Sequence, residues 1–131
     1  MYNPKFLPAI DSVEIVDLRH LNANRVSDYM DIASNAPYQR LDGDSAQLFA
    51  NAWRSLCSGM AARCHIPPIG FRFISDGAIV LEASVCWRCN NAYGIQNGNS
   101  ISFEFDSECD SAQQLLASAK QVMGMQDIND G

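Results

Sequence analysis

An α+β domain is the fold class this sequence predicts, and three features point to it. Two stretches with helical apolar spacing follow near-identical starts, Asp44-Ser45-Ala46-Gln47 and Asp110-Ser111-Ala112-Gln113. Between them lie runs in which apolar and polar residues alternate, separated by turn residues. At 131 residues the chain has material for one core and not two, so a single domain over residues 1–131 is expected.

The elements follow in order. Ser12 to Leu18 reads as a strand, whereas residues 19–43 carry no clear period beyond a short helical stretch from Ser27 to Ser34. At each of the two matching starts the Asp side chain can accept from free amides of the first turn, and Gln three residues on can reach back, the logic of a capping box. The first helix, about residues 45–62, places Phe49, Trp53, Leu56 and Met60 on one stripe with Cys57, the face expected in the core. The second, about residues 111–123, aligns Leu115, Ala119, Val122 and Met123 and stops at Gly124, a residue suited to the left-handed C-terminal position. The tail beyond it is expected to fray.

Between the helices, Phe71 and Phe73 alternate with Arg72 and Ile74. After Ser75-Asp76-Gly77, Ile79, Leu81, Ala83, Val85 and Trp87 alternate with Val80, Glu82, Ser84 and Cys86. A three-residue loop with Gly77 left-handed keeps the bulky residues of both strands on one face, whereas a two-residue turn would put Arg72 with Leu81. Asn97-Gly98 marks a second hairpin leading into Ile101, Phe103 and Phe105. The expected order is β-α-β-β-β-α: a two-layer fold in which an antiparallel sheet of about four strands has two main helices packed on one face and its other face open to water.

Composition narrows the function. A formal net charge of -6 repels phosphate backbones, so no nucleic-acid partner is expected. Seven of the nine basic residues are Arg, which suits ion pairs and partner contacts better than a polybasic membrane patch. The first eight residues show no basic stretch leading into an apolar run, so no export signal or membrane span is expected and the default address is cytoplasmic. In that compartment Cys57, Cys64, Cys86, Cys89 and Cys109 are expected as thiols or metal ligands rather than structural disulfides. No phosphate-cradling glycine loop occurs, and neither His20 nor His65 sits in a hydrolase motif, so no catalytic residue is assigned.

The most distinctive stretch is Cys64-His65-Ile66-Pro67-Pro68-Ile69-Gly70-Phe71-Arg72, followed by Cys86-Trp87-Arg88-Cys89. It resembles a family of small bacterial proteins without an established function that share a C-x-x-P-x-x-G-x-R segment entering a strand and then a hairpin ending in C-[FW]-x-C. The likeness spans about residues 60–94. Its members often carry a basic residue and a His just before the Gly, where this chain has Pro68 and Ile69. The resemblance implies a fold neighbourhood and no activity.

Three readings of the cysteines stand side by side. They are reduced thiols packed as small apolar groups. Or Cys64, Cys86 and Cys89 bind zinc, the candidate cofactor, with His65, Cys57 or Cys109 as fourth ligand. Or they form a disulfide or a thiol-redox pair, although Cys86 and Cys89 end a strand rather than opening a helix. The acidic run Glu104, Asp106, Glu108 and Asp110 reads first as a solvated face.

On the face expected to be open, Arg72, Glu82, Arg88, Glu104 and Asp106, with Trp87 and Tyr93 at its rim, would form a charged docking surface with aromatic and Arg anchors. The expected role is a non-enzymatic protein-binding module, most concretely a bacterial immunity protein that neutralises a toxin, with a basic toxin domain as the expected partner. The alternative is a zinc-binding or thiol-redox protein using Cys64, Cys86 and Cys89.

Overall fold

The computed structural model describes residues 2–125. It contains β1 (Ser12–Asp17), β2 (Tyr38–Asp42), α1 (Gly43–Arg54), β3 (Ile69–Ser75), β4 (Ala78–Cys86), β5 (Asn91–Gln96), β6 (Asn99–Glu104) and α2 (Asp110–Met123), with short 3-10 turns at Pro4–Phe6 and Val26–Asp28. The strands form one antiparallel sheet in the order β2-β1-β3-β4-β5-β6. The class is α+β as expected, but the sheet has six strands rather than about four, in the order β-β-α-β-β-β-β-α. The expected frayed tail falls outside the described residues.

Both helices cover one face. Phe49 and Trp53 of α1, and Ala112, Leu115, Leu116 and Ala119 of α2, pack on Val13, Ile15, Phe71, Phe73, Leu81, Val85 and Phe103. Phe71, Phe73, Leu81, Val85 and Phe103 belong to the alternating set the sequence marked as core, because period-two side chains share a sheet face. Trp53 is fully buried, and its indole N–H donates to the Tyr2 hydroxyl at 3.0 Å.

The turn between β3 and β4 differs from expectation in an instructive way. Ser75 pairs with Ala78, leaving the two-residue turn Asp76-Gly77 with φ of 55° and 80°. Such a turn matches the right-handed twist of the flanking strands. The pairing then jumps from Ile74–Ile79 to Phe73–Leu81, so Val80 is an extra residue in a β-bulge. That one residue restores the phase: Phe71 faces Ala83 and Arg72 faces Glu82. The Asn97-Gly98 turn, φ 50° and 82°, joins β5 to β6.

The first helix ends at Arg54, short of residue 62. The chain then runs irregularly against the far edge of the sheet, where Ser58 bridges Phe105 and Gly59 donates to the Glu104 carbonyl at 3.2 Å. A Cβ at Gly59 would strike the Phe105 backbone, so this approach needs glycine. Met60 is consequently 86% exposed and Cys57 is exposed, not on the buried stripe. The capping expectation also shifts: the N-cap residues are Asp42 and Cys109, and neither makes a side-chain cap. Gln47 instead donates to the Ile10 carbonyl at 2.7 Å, and Gln113 to that of Ser107. Gly124 ends α2 with φ 66°, as expected.

The second sheet face is not open to water throughout. Residues 18–36 fold over it, and Leu18, Tyr29, Met30 and Ala33 form with Val16 a second, smaller apolar cluster. Instead of a helix from Ser27 to Ser34 this segment has one 3-10 turn followed by successive turns. Gly70 lets it approach, since a Cβ there would lie 2.5 Å from Met30 Sδ.

Candidate functional site

The covering segment decides what becomes of the expected docking surface. Arg72 projects from β3 beneath it and is only 9% exposed. Its guanidinium donates to Glu14 Oε1 at 3.1 Å and to the Ala33 carbonyl at 3.0 Å. A cation removed from water needs such partners, and here they tie the segment to the sheet. Glu82, opposite Arg72 in register, is half-buried. Burial raises its pKa above the usual carboxylate value, Arg72 opposes this, and Asp31 adds to it.

Trp87 is not a rim anchor. It is 1% exposed on the helix side of the sheet, where its indole N–H donates to the Ala112 carbonyl of α2 at 2.8 Å. Beyond the bulge, Leu81, Ala83 and Val85 of β4 all point that way, and Trp87 continues their alternation. Arg72 and Trp87 are therefore corrected from docking residues to packing residues. Of the six expected contacts, Arg88 and Glu104 are exposed and Asp106 is half-buried.

The conspicuous motif around residues 60–94 converges on one buried assembly. Cys64 and Cys89 are joined by a disulfide, with Cα atoms 5.6 Å apart. The bond differs from the Cys86–Cys89 pair of the redox reading and from the expectation of thiols or metal ligands rather than structural disulfides. Cys86 is buried beside the bridge, and its sulfur accepts the Cys89 amide at 3.3 Å. Asn90 closes the turn with φ 57°, and its side-chain amide donates to the Met60 carbonyl at 3.2 Å.

His65, 4% exposed, sits next to this bridge with both ring nitrogens engaged. Nδ1 lies 2.6 Å from Asn91 Oδ1 and Nε2 2.8 Å from Ser84 Oγ. The Asn91 amine end donates to the Cys64 carbonyl at 2.8 Å, which turns its oxygen toward the ring. Nδ1 therefore carries the proton, and Nε2 accepts from the Ser84 hydroxyl. Burial pushes the His65 pKa down, and the Asn91 contact only partly offsets that. Tyr29 and Tyr93 meet the imidazole edge-on, with centroids 5.7 and 4.7 Å away.

The polarity of Ser84, His65 and Asn91 is that of a general-base relay. Ser84, however, is 1% exposed, and its hydroxyl also lies 3.3 Å from the Tyr93 carbonyl. A hollow of about 210 Å³ nearby is walled by Tyr29, Ile66, Pro67 and Pro68, with Arg19 and Arg88, but Ser84 does not line it. In this arrangement the three groups fasten the loop before β3 to β4 and β5. Sequence reading missed Ser84 and Asn91 because they are far from His65 along the chain. Both lie on the sheet face away from the helices, where Ser84 pairs with Tyr93 and Asn91 with Cys86.

A zinc ion at the expected ligands would require the Cys64–Cys89 bond to be reduced. It would also need a fourth ligand other than His65, whose nitrogens are occupied. Among the described residues no three His, Cys, Asp or Glu side chains are grouped as a metal site. Cys57 and Cys109, the other candidates, lie just past the end of α1 and at the start of α2, where Asp106 hydrogen-bonds to the backbone of both.

The acidic run lies at the β6 end of the sheet, where residues 57–59 run alongside it. Glu104 ends β6, Asp106 follows, and Glu108 and Asp110 lead into α2. Among the described residues the ion pairs are Asp17–Arg19, Asp28–Arg25, Asp42–Arg40 and Glu14–Arg72, so none of these four carboxylates is neutralised. No described helix is long and apolar enough to cross a membrane. No protein-family model, curated protein or solved structure matches this chain.

Proposed function

We propose that this chain is a non-enzymatic protein-binding module, most concretely an immunity protein that neutralises a basic toxin by direct contact. The observation that carries the reading is the unneutralised run Glu104, Asp106, Glu108 and Asp110, beside the exposed side chain of Met60. Carboxylates without an ion-pair partner speed encounter with a basic partner, and an exposed methionine adapts to the surface that arrives. The contact surface on this reading is the β6 edge and the start of α2, with Arg88, Glu104 and Asp106 kept from the residues first expected. Co-purification from the source cells, with inspection of the adjacent gene, tests it. The expected result is a basic partner whose binding weakens about tenfold or more in Glu104→Lys/Glu108→Lys, with the melting temperature unchanged. If no partner is recovered and the neighbouring gene encodes no secreted toxin, the reading is abandoned.

The second reading, a thiol-redox or zinc protein using Cys64, Cys86 and Cys89, is favoured by the contact of the Cys86 sulfur with the backbone of the bridged Cys89. A cytoplasmic address goes with reduced Cys64 and Cys89, and a formed bond with an oxidising compartment. Thiol counting on chain purified without reductant separates the two. About one zinc per chain in reduced protein, lost in Cys86→Ser, would favour zinc.

A further inference from the structure

Two further cysteines, outside the conspicuous sequence pattern, are brought close by the backbone. Cys57 is exposed just beyond α1, and Cys109 is the half-buried N-cap residue of α2. Their backbones are joined through Asp106, whose amide donates to the Cys57 carbonyl at 2.8 Å while its carbonyl accepts the Cys109 amide at 3.2 Å. The Ser111 hydroxyl donates to the Ser55 carbonyl at 2.7 Å, fixing the loop after α1 against the first turn of α2. Cys57 Sγ lies 3.9 Å from the Ser55 carbonyl, and Ser111 Oγ lies 3.3 Å from Cys109 Sγ.

We propose that Cys57 and Cys109 form a thiol–disulfide exchange site that accepts low-molecular-weight cationic disulfides and closes to a second bond within the chain. This does not rest on the docking reading. The roles of the two sulfurs differ. Burial works against a Cys109 thiolate, but hydrogen bonds from Cys57, Ser111 and the Ala112 amide outweigh it and hold the pKa below the ordinary thiol value. Cys57 is shifted upward, first by its hydrogen bond to Cys109, then by burial and the Asp106 charge. Cys109, at the N-cap of α2 where the free amides of the first turn favour a thiolate, is thus the attacking sulfur, and the exposed Cys57 the resolving one.

The Cys109 thiolate attacks one sulfur of the disulfide RSSR, forming Cys109–S–S–R and releasing RS⁻. Cys57 then loses its proton and attacks Cys109 Sγ, expelling the second RS⁻ and leaving a Cys57–Cys109 bond. Two protein thiols are oxidised and one RSSR becomes two RSH. The surrounding Glu104, Asp106, Glu108 and Asp110 repel an anionic reagent such as oxidised glutathione and attract a cationic one such as cystamine.

The test is to expose the full chain to cystamine or to oxidised glutathione at low salt, block remaining thiols, and map the linked peptides by mass spectrometry. The expected result is a Cys57–Cys109 peptide, forming about tenfold or more faster with cystamine, with the difference shrinking at high salt. Cys57→Ser should stop at a cysteamine adduct on Cys109, and Cys109→Ser should leave Cys57 at least about tenfold less reactive. Absence of the linked peptide in the folded wild-type chain, or equal rates for the two reagents at low salt, overturns the proposal. Because wild-type mapping alone decides the bond, a variant that fails to fold does not protect the idea.

Discussion

Cutting the Cys64–Cys89 bridge is the perturbation whose size can best be worked out in advance. Cys64 is exposed while Cys89 is buried, so Cys64→Ala removes the cross-link without opening a cavity. The half-cystines are 25 positions apart in sequence. The loop-closure relation for that length gives about 12 cal/mol/K, or about 3.5 kcal/mol at room temperature, released to the unfolded chain when the bond is absent. That is a large part of the roughly 5–15 kcal/mol that holds a domain of this size together. Urea titration followed by tryptophan fluorescence reads it, since Trp53 and Trp87 are both buried. Cys64→Ala should unfold at a clearly lower midpoint with a steeper slope, because a less restrained unfolded chain exposes more surface. Dithiothreitol should move wild type to the position of the variant and leave the variant in place. Equal midpoints for the two proteins, or a wild type indifferent to reductant, would refute the reasoning.

Three further outcomes follow from other contacts. Gly70→Ala should cost about 1–3 kcal/mol because its methyl meets Met30 Sδ, and combining it with Met30→Ala should give less than the sum in a double-mutant cycle. Arg72→Met should cost about 3 kcal/mol in chemical denaturation by leaving the Glu14 carboxylate poorly solvated and unpaired, and Arg72→Met/Glu14→Met should recover much of that loss. His65 has its folded-state pKa below the free value of 6.5, so the unfolded chain binds the extra proton first. Stability therefore falls as pH drops below about 6.5, by at most about 1.4 kcal/mol per pH unit for one proton, and levels off below the folded pKa. His65→Gln should flatten the thermal-melt profile in that window, and an unchanged profile would remove His65 as its cause.

What could be read in the sequence was what repeats. Leu115 and Ala119 on α2, Gly124 at its end, and the alternation of Phe71, Leu81 and Phe103 all carry a period, and each lies where that period put it. β2 carried none, because an edge strand exposed on both faces has no apolar side to mark it. β5 was hidden by Asn91, Gly94 and Gln96, whose places depend on the neighbouring strands rather than on local preference. The Val80 bulge escaped for a related reason: both hairpin phases were considered, but one inserted residue satisfies the short turn and the core together. The docking face was misjudged at Arg72 because residues 18–36 cover it through contacts that their own polarity did not announce.

The two apolar clusters are unequal, with 25 buried residues beneath the helices and five beneath the covering segment among the described residues. Free energy of opening follows buried apolar contact, so that segment should exchange its amide hydrogens with deuterated solvent well before the central strands do. Each such excursion would bring the guanidinium of Arg72 and the carboxylate of Glu82 into water together. The sheet thus carries an ionic surface that exists mainly in a sparse excited population, and the small patch of Val16, Leu18, Tyr29, Met30 and Ala33 sets how sparse it is.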